Sequence, residues 1–222
     1  MSLTDRPLRA DAERNRKRIL AAAAELFAER GLDVAIDEIA AKAEVGIGTV
    51  YRRFPDRDTL IDALFEDKIH EIEAIALEAL RVSDPWDAFE RFMRGVCALH
   101  ARDRGLKEAM LSDHRGAERA CRARDTIAPL GAMLLSRAQA AGAVREDLVA
   151  ADVPLMHFAV GYIAEKTRDA SPDAWERLLT ILLDGLKAQR TGVTPLEADP
   201  VALEADPVAL EDIPRTLGKG RR

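Results

Sequence analysis

The sequence predicts an all-α fold, a small N-terminal helix–turn–helix unit followed by a larger helical domain. Apolar residues recur at intervals of three and four along most of the chain, the pattern of helices that bury one face. Of the 222 residues, 48% are hydrophobic but only 5% aromatic, and alanine is abundant, which favours packed helices over sheets. Between Ile36 and Leu60 the periodic stretches become short. They are interrupted at Glu44-Val45-Gly46 and broken again at Pro55, so two short helices joined by a tight turn precede a long third one.

Residues 1–10 are expected to form a flexible arm, whose Arg6 and Arg9 can reach a minor groove. From Asp11 to Arg30, Ile19, Ala23, Leu26 and Phe27 mark the inner face of a helix that Gly31 stops. Ile36, Ile39, Ala40 and Ala43 give the next helix one apolar face. Val34-Ala35 brings no capping oxygen to it, and Asp37 and Glu38 compensate from the positive end of the helix dipole. Asp56 is placed to cap the helix after Pro55, whose apolar positions Leu60, Ala63, Leu64, Ile72 and Ile75 carry it to about Leu80.

Ser83-Asp84-Pro85 opens a helix with Trp86, Phe89, Phe92, Met93, Val96, Cys97 and His100 on one side, ended at Arg104-Gly105. A short amphipathic piece runs from Leu106 to Leu111. Ala117 to Ala141 reads as one long helix that Pro129 should kink or split. Leu148 to Arg168 forms another, with Pro154 tolerated near its first turn. The last follows Ser171-Pro172-Asp173 and carries Trp175, Leu178, Leu179, Leu182, Leu183 and Leu186. After Gln189, L-E-A-D-P-V-A occurs twice, at 196–202 and 203–209, and a proline every seven residues forbids a continuous helix. The expected division is a flexible arm 1–10, a helix–turn–helix domain 11–56, a larger helical domain 57–190 and a disordered tail 191–222.

In the second short helix, Val45, Val50 and Phe54 turn to the core, which leaves Ile47, Thr49, Tyr51, Arg52 and Arg53 outward. A helix with Thr, Tyr and two Arg opposite its core residues suits an anionic partner, and helix–turn–helix units lay such a helix in the DNA major groove. The candidate DNA-contacting residues are Lys42, Ile47, Gly48, Thr49, Tyr51, Arg52, Arg53 and Arg57.

These residues resemble the TetR-type bacterial transcription regulators. The resemblance is carried by Phe27-Ala28-Glu29-Arg30-Gly31, Glu38-Ile39-Ala40, Val45, Gly48-Thr49-Val50-Tyr51, Phe54 and Arg57 to Leu60, and covers roughly residues 12–65. This chain departs from the family pattern at four places. Glu44 stands where a turn glycine is usual, which asks a non-glycine residue to take a positive φ. Gly46 replaces a capping serine, Arg53 a histidine and Arg57 a lysine. The resemblance implies a cytoplasmic, ligand-responsive repressor that binds a palindromic operator in double-stranded DNA as a homodimer. It further implies that the last two helices pair the subunits, that Arg57 touches the phosphate backbone, and that the later helices enclose a small-molecule effector. Phe92, Met93, Val96, His100, Met110, Met133 and Phe158 are the candidate lining, because methionine and aromatic side chains suit an adaptable apolar cavity. His100, His114 and His157 could orient a polar group of that effector.

The net charge of −6 divides unevenly. Residues 1–60 carry 11 basic and 11 acidic side chains, the remainder 22 and 28, so the acidic excess lies outside the helix–turn–helix. Arg14, Arg16, Lys17, Arg18, Lys42, Arg52, Arg53 and Arg57 cluster in the first part, a focused positive charge that can orient the protein on DNA. Cys97 and Cys121 lack metal-type spacing and fit a reducing compartment. No apolar run approaches the ~18–20 residues needed to span a bilayer, so no membrane partner is expected. Nucleophile, zinc-protease and phosphate-loop motifs are absent, and Gly46-Ile47-Gly48 has neither a preceding strand nor a third glycine. Neither enzymatic activity nor a cofactor nor a metal is expected. The competing expectation is a helical small-molecule-binding or adaptor protein that has lost specific DNA binding.

Overall fold

The computed structural model describes residues 5–103 and 115–189. Eight helices are seen among them: α1 (Asp5–Arg30), α2 (Ile36–Lys42), α3 (Ile47–Arg53), α4 (Arg57–Leu80), α5 (Pro85–Arg102), α6 (Gly116–Ala140), α7 (Asp152–Thr167) and α8 (Ala174–Leu186). The all-α expectation holds, and no described helix is long and apolar enough to cross a membrane. The segment Leu106 to Leu111, Met110, His114 and the tail from 191 lie outside the described residues.

The described chain falls into two compact units. The first runs through Lys68 and includes Asp103; the second takes Ile69–Arg102 and 115–189. The boundary therefore falls inside α4, later than the 56/57 division expected, because Leu60, Ile61, Leu64 and Phe65 of its first turns are buried within the first unit.

In the first unit α1 supplies Ile19, Leu20, Ala23 and Phe27 to the core, α2 supplies Ile39 and Ala40, and α3 supplies Val50. Helix α1 begins at Asp5 rather than Asp11, so residues 5–10 are helical backbone rather than a flexible arm. Pro7 was no obstacle, since its ring and missing N–H are tolerated in a first helical turn. Gly31, at φ 77°, ends α1, its N–H donating to the Phe27 carbonyl at 2.9 Å. Helix α2 starts from Ala35, whose N–H donates to the Glu38 carboxylate at 3.4 Å, while the Glu38 N–H that alanine cannot cap donates to the Asp37 carboxylate at 3.0 Å. Asp56 caps α4, accepting from both the N–H and the hydroxyl of Thr59 at 2.7 Å.

The second unit is organised around α5, which packs against α6, α7 and α8. Asp84 caps it, accepting from the Asp87 N–H at 2.9 Å, and Phe89, Phe92, Met93, Val96, Cys97 and Leu99 are buried along it. Gly95 lets α5 approach α4 closely, since a Cβ there would stand 2.6 Å from Ile75 Cγ2. The C-terminal end of α4 is closed by a side chain from α6: Arg137 donates to the carbonyls of Leu80, Val82 and Ser83 at 3.1, 2.6 and 2.5 Å. Helix α6 runs through Pro129 without splitting. Pro129 and Asp125, four residues earlier, are both exposed, so the carbonyl deprived of its partner can meet water. Gly142 at φ 65° ends α6, and Gln139 then holds the following loop by donating to the carbonyls of Arg145 and Leu148 at 3.0 and 2.8 Å. A short antiparallel bridge between Val144 and Lys187 fastens that loop to the end of α8. Helix α7 starts at Asp152, four residues later than expected, because 149–153 form turns in which Asp152 accepts from the Val149 N–H.

Candidate nucleic-acid interface

Helix α3 divides its residues between core and solvent. Val50 is 1% exposed and Phe54, just past its end, 4%, while on the other side Ile47 and Tyr51 are 48% and 49% exposed. Gly48, Arg52 and Arg53 are exposed as well, and Thr49 is half-buried. Large apolar groups left in water beside two arginines mark a surface built for contact rather than for stability.

The turn before α3 owes its shape to a glutamate. Glu44 takes φ 51°, the one non-glycine residue with a positive φ among those described. Its N–H donates to Ala41 and the Val45 N–H to Ala40, both at 3.0 Å, which closes the C-terminus of α2 in the paired pattern that a left-handed residue permits. Gly46 then starts α3 from an extended conformation with no side-chain cap. A Cβ built on Gly46 or Gly48 meets nothing within 4 Å, so the fold itself does not require glycine at either position.

Three ion pairs lace α1 to α2 and the turn: Arg18 to Glu44 at 2.5 Å, Lys42 to Glu25 at 2.7 Å and Arg30 to Glu38 at 2.6 Å. Glu25 raises the Lys42 pKa, and Glu38 raises that of Arg30. The hydrogen bonds from Arg30 and the Ala35 N–H hold the Glu38 carboxyl below its usual range. Lys42 is thus charged but occupied. Arg57 is directed inward: it donates to the Val34 carbonyl at 2.7 Å, and its guanidinium lies 5.6 Å from the centre of the Phe27 ring. Arg52 reaches only the Thr49 hydroxyl, at 3.4 Å, and neither it nor Arg53 has a carboxylate partner among the described residues. Of the eight candidates, Ile47, Gly48, Thr49, Tyr51, Arg52 and Arg53 share one surface on α3. Lys42, on α2, is paired with Glu25 of α1, and Arg57 donates to the Val34 carbonyl beside the Phe27 ring.

Residues 19–64 match the family model described as bacterial regulatory proteins, tetR family, and residues 84–188 match the C-terminal domain of SbtR-like transcriptional regulators. A solved TetR regulatory protein from Mycobacterium vanbaalenii is 36% identical, the alignment covering 82% of this chain and 99% of that one with a TM-score of 0.60. The chain belongs to the TetR family. It is a DNA-binding transcriptional regulator, and members of this family are not enzymes. A TetR regulator from Streptomyces coelicolor is 29% identical over 79% of this chain and 99% of its own, again with a TM-score of 0.60. The curated HTH-type transcriptional regulator SrpR of Pseudomonas putida is 35% identical over 80 residues, 36% of this chain and 38% of SrpR. The chain thus matches well under two thirds of the length of that relative.

In the second unit of this TetR-family chain, the candidate effector residues separate. Phe92, Met93 and Val96 are buried on α5, and His100 and Phe158 are half-buried. Met133 is 56% exposed: the inward face of α6 is Gly131, Leu134, Leu135 and Ala138, so Met133 does not share the interior. The rings gather instead around His157 of α7, which is 6% exposed. The Phe92 ring meets it edge-on at 5.6 Å, His100 stacks at 6.3 Å, and Phe158 lies 6.0 Å beyond His100. Burial first, and then the neighbouring His100, push the His157 pKa down to about 3, so the imidazole is neutral. The signal in the sequence was its register, for His157 shares a buried stripe with Val153, Val160 and Ala164. Sequence reading also passed over Ile181, 61% exposed on α8, and Tyr162, 41% exposed on α7. Among the described residues no group of three or more His, Cys, Asp or Glu could hold a metal ion.

Proposed function

We propose that this regulator is a ligand-responsive repressor acting in the cytoplasm, binding a palindromic operator as a homodimer. The observation that carries the DNA half of this reading is the exposed face of α3. Thr49 and Tyr51 are suited to phosphate, Arg52 or Arg53 to a guanine edge and Ile47 to a thymine methyl, while Gly48 permits close approach. Two subunits would present their α3 helices ~34–36 Å apart, or a multiple of that, which asks for a two-fold site. Exposed apolar residues on α7 and α8, Tyr162 and Ile181 above all, support pairing through the last two helices, since a large apolar side chain in water gains free energy when covered. An effector that binds the second unit better in one subunit arrangement would shift the population away from the DNA-binding spacing.

The test is binding of the purified protein to DNA surrounding its own gene at two salt concentrations, with Ile181→Arg alongside. The expected result is tight binding to one two-fold site that weakens as salt rises, and a monomeric, weakly binding Ile181→Arg protein. Weak, sequence-indifferent binding to every fragment, with an Ile181→Arg protein that still dimerises, would overturn the reading and favour a helical small-molecule-binding or adaptor protein.

A further inference from the structure

The second unit buries a polar atom that the fold leaves unused. His157 Nε2 is inaccessible and makes no hydrogen bond. An unmade bond at a buried imidazole is costly, and a purely structural core position would avoid that cost with leucine or phenylalanine. The side chains placed around it are rings: Phe92 presents its edge, His100 stacks, and Phe158 leans on His100. A glycine lies close to one of these rings. One turn beyond His157, Gly161 leaves 3.1 Å between a hypothetical Cβ and His100 Cβ, so a side chain there would press on His100 where it stacks on His157.

We propose that His157 is the polar anchor of an effector site that takes a neutral aromatic molecule bearing a hydroxyl group, with the ligand ring packed among Phe92, His100 and Phe158. This rests on the ligand-responsive reading and names the ligand class. Three arguments select the class. The surrounding rings offer edges and faces, which pair with another aromatic ring better than with a flexible chain. The imidazole is neutral, so an anionic ligand would enter without a countercharge from it, and desolvating an unpaired charge is costly. A neutral imidazole nitrogen is a donor in one tautomer and an acceptor in the other, and a hydroxyl serves both.

Three probes of similar shape separate these possibilities in the full-length protein: phenol, toluene and benzoate, each titrated by calorimetry and by shift of the unfolding temperature. Phenol is expected to bind at least tenfold more tightly than toluene or benzoate. In His157→Phe that preference should disappear. In His157→Gln, whose amide reaches the place of Nε2, most of it should return, which also guards against a His157→Phe protein that fails to fold. Equal binding of phenol and toluene, tighter binding of benzoate, or a phenol preference that survives in His157→Phe would overturn the site. Operator affinity is read separately. Phenol binding with no change in operator affinity upholds the site and counts against ligand responsiveness. Operator release by phenol that is unaltered in both variants counts against the site alone.

Discussion

The carboxylate of Glu44 lies 2.5 Å from the guanidinium of Arg18, which ties the left-handed residue of the turn to α1. Both side chains are substantially exposed, so the pair contributes little net stability, ~0–1 kcal/mol. The left-handed backbone costs a non-glycine residue ~1–2 kcal/mol, most of which glycine would recover, less its own entropy in the unfolded chain. Glu44→Gly is therefore expected to stabilise the protein by about 0.5–1 kcal/mol, read as a small rise in unfolding temperature. It also removes a negative charge beside the recognition surface and releases Arg18, so operator affinity should rise with a steeper dependence on salt. A less stable variant would show that the ion pair, not the backbone, dominates the turn.

Gly48 separates folding from recognition. A methyl group there meets no atom of the described residues within 4 Å, and alanine is favoured over glycine within a helix by ~0.8–1.0 kcal/mol. Gly48→Ala should raise the unfolding temperature and yet weaken operator binding, because the added methyl projects from the exposed face of α3. Unfolding curves and DNA titrations on the same preparation check both signs. Unchanged affinity would place residue 48 outside the contact surface.

Arg53 and Arg57 carry the same charge and are expected to fail differently. Arg53→Ala should leave stability within about 0.5 kcal/mol of the original, as surface substitutions do, and weaken specific binding by ~1–3 kcal/mol if the guanidinium reads a guanine. Arg57→Ala strands the carbonyl of Val34, a residue only 1% exposed, and should destabilise the fold by ~1–3 kcal/mol. Comparing unfolding midpoints with operator affinities for the two variants distinguishes a recognition residue from one that braces the scaffold.

His157 makes stability depend on pH in a defined direction. When folded, the imidazole stays neutral down to about pH 3, with His100 of α5 its ionisable neighbour. In the unfolded chain it takes up a proton near pH ~6.5. The unfolded state therefore binds more protons between those values, and stability falls as pH falls through that window. Between pH ~7 and ~5 the loss from this group should be about 2 kcal/mol, and His157→Gln should lose less by that amount. Equal pH slopes for the two proteins would show that His157 takes up its proton alike in the folded and unfolded states.

The recognition unit was legible in the sequence because its determinants are local. The spacing of Ile39, Ala40, Val50 and Phe54 specifies two buried faces, the resemblance to a family with a turn glycine at position 44 implies a left-handed residue there, and Asp56 and Asp84 cap helices three residues ahead of the N–H groups they accept from. What escaped depends on distant partners. Arg57, expected at the phosphate backbone, also donates to the carbonyl of Val34, a partner 23 residues earlier that local sequence does not reveal. Met133 was assigned to the effector lining on residue type, but alanines occur all around α6 and leave its apolar face poorly defined, and Met133 is exposed. Pro7 was taken as part of an arm and Pro129 as a kink or split, yet one falls in a first turn and the other on an exposed face of a helix that runs on through it.

Gly95 and Gly48 would leave opposite traces in a saturation mutagenesis experiment. At residue 95 every substitution drives a side chain into Ile75 on α4, so variants should be depleted in any selection for folded protein, whether or not DNA is offered. At residue 48 substitutions should survive selection for abundance and disappear only under selection for repression. Identical letters in the sequence therefore record unrelated constraints, one imposed by a neighbouring helix and one by a molecule outside the chain.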